Sequence, residues 1–418
     1  MDVSDRERLD VEASEGAGPA AEAGNGQRAV AVASESVAAS STPFALSTLF
    51  WAPLLGLSIL LAAYTGFRLP NLWSATLYTP SLPDGFHRRF LVGTLLLPLA
   101  EALDYNYWLY AAVAFVILGA LLAVLVVVTL RARLVSQRFL VVAFFLLPTG
   151  GFLFNEVGYL DQLIYLMLFV SLWLLRRHPA AWVAVPILMS LAMSAHEIAI
   201  VTVIPILGFV VLREFPPRRA IAVLAPPVLV ALVLFVVTPS SDGAVRRLTS
   251  TLQVANFSPR PDALGPFQRT QSETMALYSV RDVFLFLLPL VVVLGAAFFL
   301  LYWTGSRARP RSFSAIYLLL GVGAIASPIV LSFAGWDEFR WAFLLMTNFL
   351  IVLWLWLGDT GRELNPVQWV TLAVVVLVSL HAQLLYFDGY EPRSFRPSAI
   401  RDLRAEIEDG TLFEIPRR

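Results

Sequence analysis

The sequence predicts an all-α, polytopic membrane protein of about eleven transmembrane helices. Three observations predict it. The 418 residues are 58% hydrophobic and 14% charged, against about 45–50% and about 25% in a soluble protein. The excess lies in continuous runs such as Tyr105–Leu130 and Val283–Trp303, long enough to cross a bilayer as helices. The arginines gather in every second connector between those runs, the signature of alternating sides. A soluble enzyme and a disordered chain are excluded, and the unbroken runs argue against a barrel of alternating strands. The chain has no cysteine, which removes disulfides, thiolate metal sites and a cysteine nucleophile. All 30 basic residues are arginine, which reads as genomic composition bias of a high-GC bacterium and removes lysine chemistry.

Residues 1–43 are rich in Ala, Gly, Ser and Glu, with eight acids against Arg6, Arg8 and Arg28. Such a composition cannot bury a core and predicts a disordered cytoplasmic tail. Its acidic start excludes a signal peptide. Residues 44–387 form the polytopic domain. Its predicted spans are Ala45–Phe67, Tyr105–Leu130, Phe139–Phe154, Gln162–Leu175, Pro179–Ala195, Ile198–Leu212, Ala220–Thr238, Asp282–Trp303, Phe313–Phe333, Trp341–Leu357 and Val367–Phe387. Several sit at or below the usual minimum of about 17 residues.

Five connectors hold twelve arginines: Arg131, Arg133 and Arg138; Arg176 and Arg177; Arg213, Arg218 and Arg219; Arg307, Arg309 and Arg311; and Arg362. The three short connectors between them hold Arg340 alone. This asymmetry places the first set in the cytoplasm. It also splits Pro179–Leu212 at His196-Glu197, and Phe139–Leu175 at Asn155–Asp161, because either stretch read as one helix would be basic at both faces. The N-terminus is then cytoplasmic. Residues 68–104 and 239–281 become outer loops. Within the first, Phe90–Leu103 is short and apolar and reads as an interfacial helix. Residues 388–418 form an extracytoplasmic tail with a short amphipathic helix over Ser398–Glu408. The expected location is the cytoplasmic (inner) membrane.

With sides assigned, four outer connectors carry a polar constellation: Asp84, His87, Arg88 and Arg89; Asn155, Glu156 and Asp161; His196 and Glu197; Asp337 and Arg340. Each has a plainer reading. Asp84-Gly85 suits a turn, Arg88 and Arg89 suit interfacial anchors, and Asp337 and Arg340 suit a helix-end pair. A two-residue connector needs neither His196 nor Glu197, so that pair is the hardest to explain structurally. As a set, Asp84, Glu156, Glu197 and Asp337 are candidate catalytic carboxylates, able to take a proton from an attacking hydroxyl. His87, Arg88, Arg89, Asn155, Asp161, His196 and Arg340 are candidate substrate-binding groups, with arginine suited to bidentate phosphate recognition. Acids and His could complete a divalent-metal site. No Gly-rich phosphate loop and no Gly-x-Ser-x-Gly occurs, and Ile200 breaks the His-Glu-x-x-His that His196-Glu197 begins. An outer site without nucleotide machinery fits a lipid-phosphate carrier as donor.

The layout resembles the GT-C class of integral-membrane glycosyltransferases and, more distantly, multi-spanning envelope glycan polymerases. The matching stretch is Pro83-Asp84-Gly85-Phe86 followed by Arg88 and Arg89, in the first outer loop, where that class carries an acidic motif. The resemblance is architectural. This loop has Asp84 alone before Glu101, where the class often shows two close acids. It implies transfer of a sugar from a polyprenyl-phosphate-linked donor to an envelope glycan or lipid acceptor. The partners expected are that donor and membrane lipids, with no nucleic acid. A transporter or flippase for a lipid-linked or anionic substrate is the alternative.

Overall fold

A computed structural model describes residues 42–85, 88–177, 181–236, 242–264, 280–308, 315–333, 337–381, 384, 386 and 390–416. Among these residues the fold is all helical, with no strand. The chain divides at Phe50. Of the first unit, residues 42–50 are described, and they begin helix α1 (Thr42–Gly66). The polytopic body follows from Trp51.

Five helical segments are long and apolar enough to cross a membrane: Leu49–Gly66, Tyr107–Arg131, Pro217–Val236, Ala315–Phe333 and Glu338–Thr360. A sixth appears if the bent pair Val135–Leu146 and Pro148–Asn155 counts as one span. This is a membrane-type fold, and Phe90–Ala102, Ala181–Ala195, Val291–Ser306 and Pro366–Leu380 are shorter apolar helices beside those spans. Some of the predicted spans are bent or short. The predicted span Phe139–Phe154 is broken, because a residue before proline is pushed out of the helical region. Leu147 is extended (φ −76°, ψ 163°) ahead of Pro148, and the axis turns by 61°. The segments around His196 are also short, namely α8 (Ala181–Ala195) and α9 (Val203–Glu214).

The remaining elements used below are α2 (Leu72–Leu77), α3 (Phe90–Ala102), α4 (Tyr107–Arg131), α5 (Val135–Leu146), α6 (Pro148–Asn155), α7 (Asp161–Arg177), α10 (Pro217–Val236), α11 (Asp242–Thr251), α12 (Pro261–Leu264), α13 (Val280–Ala308), α14 (Ala315–Ala326), α15 (Glu338–Thr360), α16 (Pro366–His381) and α17 (Pro397–Glu408). Helix α15 is the axis of the body. It packs against α5, α13 and α14 and buries Leu344, Leu345, Phe349 and Leu357. It stops at Gly361, whose left-handed backbone (φ 63°) returns its N–H to the Leu357 carbonyl at 2.9 Å.

Lipid tails are as apolar as leucine, so helices in a bilayer associate by close packing and buried polar contacts rather than by water exclusion. Both devices are visible. Gly66, closing α1, lies so near α6 that a Cβ there would sit 1.8 Å from the Gly151 carbonyl oxygen. Between α14 and α15 the device is polar. Pro328 has no N–H to give the Ala324 carbonyl four residues back. Asn348 and the Ser327 hydroxyl supply donors instead: Asn348 Nδ2 reaches Ala324 O at 2.8 Å and Thr202 O at 3.1 Å, Ser327 Oγ donates to Ala324 O at 3.1 Å, and Asn348 Oδ1 accepts from the Tyr165 hydroxyl at 2.7 Å. One asparagine thus ties three elements at the point where α14 gives way to a 3-10 turn over Ser327–Phe333.

The two ends of the body differ in chemistry. At one end Arg213 pairs with Asp359, Arg176 with Glu214 (3.7 Å) and Asp359 (3.6 Å), and Glu363 accepts from the Val135 and Ser136 N–H groups at the start of α5. Connectors 131–136, 176–177, 213–214 and 359–363 therefore meet there. The chain reverses at residues 155–161 and again at 196–202, so those connectors stand at the opposite end, with the candidate site. The C-terminal segment ties to the close of α1. Arg393 donates to the Phe67 carbonyl at 2.7 Å, and the Tyr64 hydroxyl donates to Ser394 O at 2.7 Å.

Candidate functional site

Three connectors and two helix starts bring a continuous set of ion pairs together. Arg89 caps α3, and Glu197 opens the 3-10 turn after α8. The guanidinium forks onto the carboxylate along one edge: Nε at 3.2 and 2.9 Å from the two oxygens, and Nη2 at 2.5 Å from Oε1. Arg89 holds a left-handed backbone (φ 64°, ψ 22°), which costs a residue with a Cβ roughly 1–2 kcal/mol. The fork with Glu197 offsets that cost.

Arg340 lies in the first turn of α15, where the positive helix end disfavours a cation. Asp161, at the start of α7, compensates. Arg340 Nε and Nη2 donate to its two oxygens at 2.6 and 2.7 Å. Both side chains are 5% exposed, so this is a charge pair removed from water. Tyr159 and Trp341 lie against the same guanidinium, their ring centroids 4.8 and 5.4 Å from its carbon, in cation–π contact.

His196 joins the two pairs. Its Nδ1 is 3.0 Å from Glu197 Oε2 and its Nε2 is 2.8 Å from Arg340 Nη2. A guanidinium only donates. Nε2 must therefore accept, and the proton sits on Nδ1, donated to Glu197. The ring is neutral. Its fully buried position lowers its pKa, and the Arg89 charge lowers it further, against the opposing pull of Glu197. Burial alone would raise the Glu197 carboxyl, but Arg89 and His196 outweigh it and hold it well below the usual range. The result is an alternating row: Arg89, Glu197, neutral His196, Arg340, Asp161.

Asp337 stands at the rim. Its carboxylate is 3.9 Å from Arg340 Nη1, and its side chain is 29% exposed. Burial pushes its carboxyl up to about 6, with Asp161 adding repulsion that Arg340 offsets in part. It is the one acid of the group poised near neutrality.

The other sequence candidates stand differently. Asp84 closes a capping turn: its Oδ2 accepts from the Ser81 N–H at 2.9 Å and the Ser81 hydroxyl at 2.7 Å. Arg88 lies 5.7 Å from the Phe235 ring centroid on α10. Asn155 and Glu156 end α6, both buried. Glu156 acts electrostatically on the Tyr159 phenol. Among the described residues Asn155 Nδ2 is buried without a hydrogen-bond partner. His87 lies outside the described residues. Among the described residues no cluster of three His, Asp or Glu side chains could hold a metal ion. Asp161, Glu197 and Asp337 face guanidinium groups instead.

Sequence reading missed Tyr159, Tyr165 and Asn348. Asn348 did carry a signal, as a lone amide inside the apolar run of α15.

No protein-family model, curated protein or solved structure matches the chain.

Proposed function

We propose that the protein is a membrane glycosyltransferase that moves a sugar from a polyprenyl-phosphate-linked donor to an envelope glycan or lipid acceptor. In this reading the end with the buried ion pairs faces the outside of the cytoplasmic membrane. The N-terminus is cytoplasmic, and the shorter apolar helices complete about eleven crossings. The observation that carries it is Asp337, a half-buried carboxyl held near 6 beside an arginine. Such a group is mostly ionised at neutral pH yet basic enough to accept a proton, which suits a general base.

The acceptor hydroxyl gives its proton to Asp337 as its oxygen bonds to the anomeric carbon. The bond from that carbon to the phosphate oxygen breaks, and the lipid phosphate leaves with the electron pair. In this reading Arg340 meets the departing charge. Among the described residues Arg89 Nη1 is buried without a hydrogen-bond partner, and a phosphate oxygen would satisfy it. Asp161, His196 and Glu197 hold both guanidinium groups in position. Asp84 shapes the loop that presents Arg88 and Arg89.

The test is transfer in proteoliposomes with a polyprenyl-phosphate-linked sugar. Asp337→Asn is expected to lower the rate by about 10²-fold or more, while Asp84→Asn, after its turn is checked by thermal stability, keeps most of it. Full activity in Asp337→Asn sinks the reading. A second reading, a flippase for a lipid-linked substrate, draws on the cavity that reaches from Asp161 to the arginine-rich end. It is distinguished by movement of the intact donor between leaflets with no cleavage of its sugar–phosphate bond.

A further inference from the structure

A groove of about 970 Å³ lies between α4, α5, α7 and α15. Its walls are apolar, with Val124, Leu140, Phe144, Phe169 and Leu350 among them. It follows α7 from Asp161 to Arg177, and that helix of 17 residues runs about 25 Å at roughly 1.5 Å per residue. This is most of a hydrocarbon core of roughly 30 Å. Val127, Val170 and Trp173, which line it on α4 and α7, are exposed. An exposed apolar wall of this length suits acyl chains.

Its arginine-rich end is lopsided in charge. Arg131, Arg133, Arg176 and Arg177 all line it. Arg176 is engaged by Glu214 and Asp359. The acids nearby are also committed: Asp359 to Arg213, and Glu363 to the N–H groups that start α5. No ion pair occupies Arg131, Arg133 or Arg177 among the described residues. Three guanidinium groups thus stand at the mouth of an apolar slot. A hydrophilic solute would match the mouth and not the walls, and a neutral lipid would match the walls and not the mouth.

We propose that this groove binds an anionic phospholipid, its phosphate held by Arg131, Arg133 and Arg177 and its acyl chains lying along α4 and α7. Guanidinium forks suit phosphate, and basic pockets between membrane helices favour anionic headgroups. The proposal does not rest on the transferase reading, since its readout is lipid retention and involves no sugar donor.

The full chain would be reconstituted in phosphatidylcholine containing phosphatidylglycerol, extracted in mild detergent, and examined by native mass spectrometry for retained lipid. The parent is expected to retain phosphatidylglycerol about tenfold or more over phosphatidylcholine, after correction for input. The variant Arg131→Gln, Arg133→Gln, Arg177→Gln loses that preference. Val128→Trp, which fills the groove and leaves the arginines in place, loses it too. Gel filtration and thermal stability in phosphatidylcholine alone verify that both variants are folded. A parent without preference overturns the proposal even if neither variant folds. So does undiminished retention in the triple variant, which moves the lipid elsewhere. Retention in Val128→Trp reduces the contact to surface charge and equally overturns it, as does displacement by millimolar inorganic phosphate, which would make free phosphate the occupant.

Discussion

The pair Arg340–Asp161 offers the sharpest energetic test of the buried network. Replacing Arg340 by Leu leaves the Asp161 carboxylate with neither of its bonds at 2.6 and 2.7 Å, and takes from His196 Nε2 its donor at 2.8 Å. A buried charge stripped of its partner costs about 3–5 kcal/mol. Asp161→Leu strands Arg340 with Asp337 at 3.9 Å as its remaining acid, and should cost a similar amount. The double variant removes both charges, and apolar replacement of a whole buried pair is often near neutral. It leaves chiefly the lost histidine bond, about 1 kcal/mol. The cycle should therefore be far from additive, with the double variant more stable than either single one. The assay is reversible denaturant unfolding of the purified chain in mixed micelles, read by tryptophan fluorescence, on all four proteins. Additive losses, within about 0.5 kcal/mol, would refute the claim that these two side chains are one desolvated unit.

Three further outcomes follow from the same geometry. Arg89→Lys keeps the charge but cannot fork around Glu197, and should cost about 1.5–3 kcal/mol in the same unfolding assay; no loss would mean that the fork does not hold that turn. Asn348→Leu removes a donor that replaces the missing Pro328 N–H, and should cost about 1–3 kcal/mol, with faster hydrogen exchange in α14 as the local readout. For Asp337, the folded carboxyl near 6 lies above its ordinary value of 3.8, so the folded state holds the proton more tightly. Stability contributed by that protonation is full below pH 4 and is lost as pH rises through about 6. His196, with its lowered pKa, works in the opposite sense, so the difference between parent and Asp337→Asn is what must be measured. The variant's advantage should grow from pH 4 to about 6.5 and then level off, with an upper bound on the order of 3 kcal/mol. A difference independent of pH would remove the perturbed carboxyl from the account.

The helical membrane character was legible because composition and run length report it directly. The bends and breaks within the apolar runs were not. Apolar length does not register the bend at Leu147-Pro148, nor that the stretch after Glu197 begins as a 3-10 turn before α9 starts at Val203. In the site, polar residues stood out wherever a connector was too short to need them, as at His196-Glu197. What joins them was invisible, because Arg89 and Glu197 are 108 residues apart and Asp161 and Arg340 are 179 apart. Nothing local records such pairings. Tyr159 was missed for the same reason: in sequence it is one more aromatic residue near a helix end, and only the fold lays it against Arg340.

The central claim is that the end carrying Arg89, His196, Glu197 and Asp337 and the end carrying Arg131, Arg133 and Arg177 face opposite sides of a membrane, with the ion-pair end outside. The chain has no cysteine, so single cysteines at positions 84, 337, 133 and 362 can report the sides directly. Intact cells would be treated with a membrane-impermeant thiol reagent before and after permeabilisation. The account predicts labelling of 84 and 337 in intact cells, and of 133 and 362 only after permeabilisation. Labelling of 84 and 337 only after permeabilisation would contradict it, because the proposed site would then face the cytoplasm.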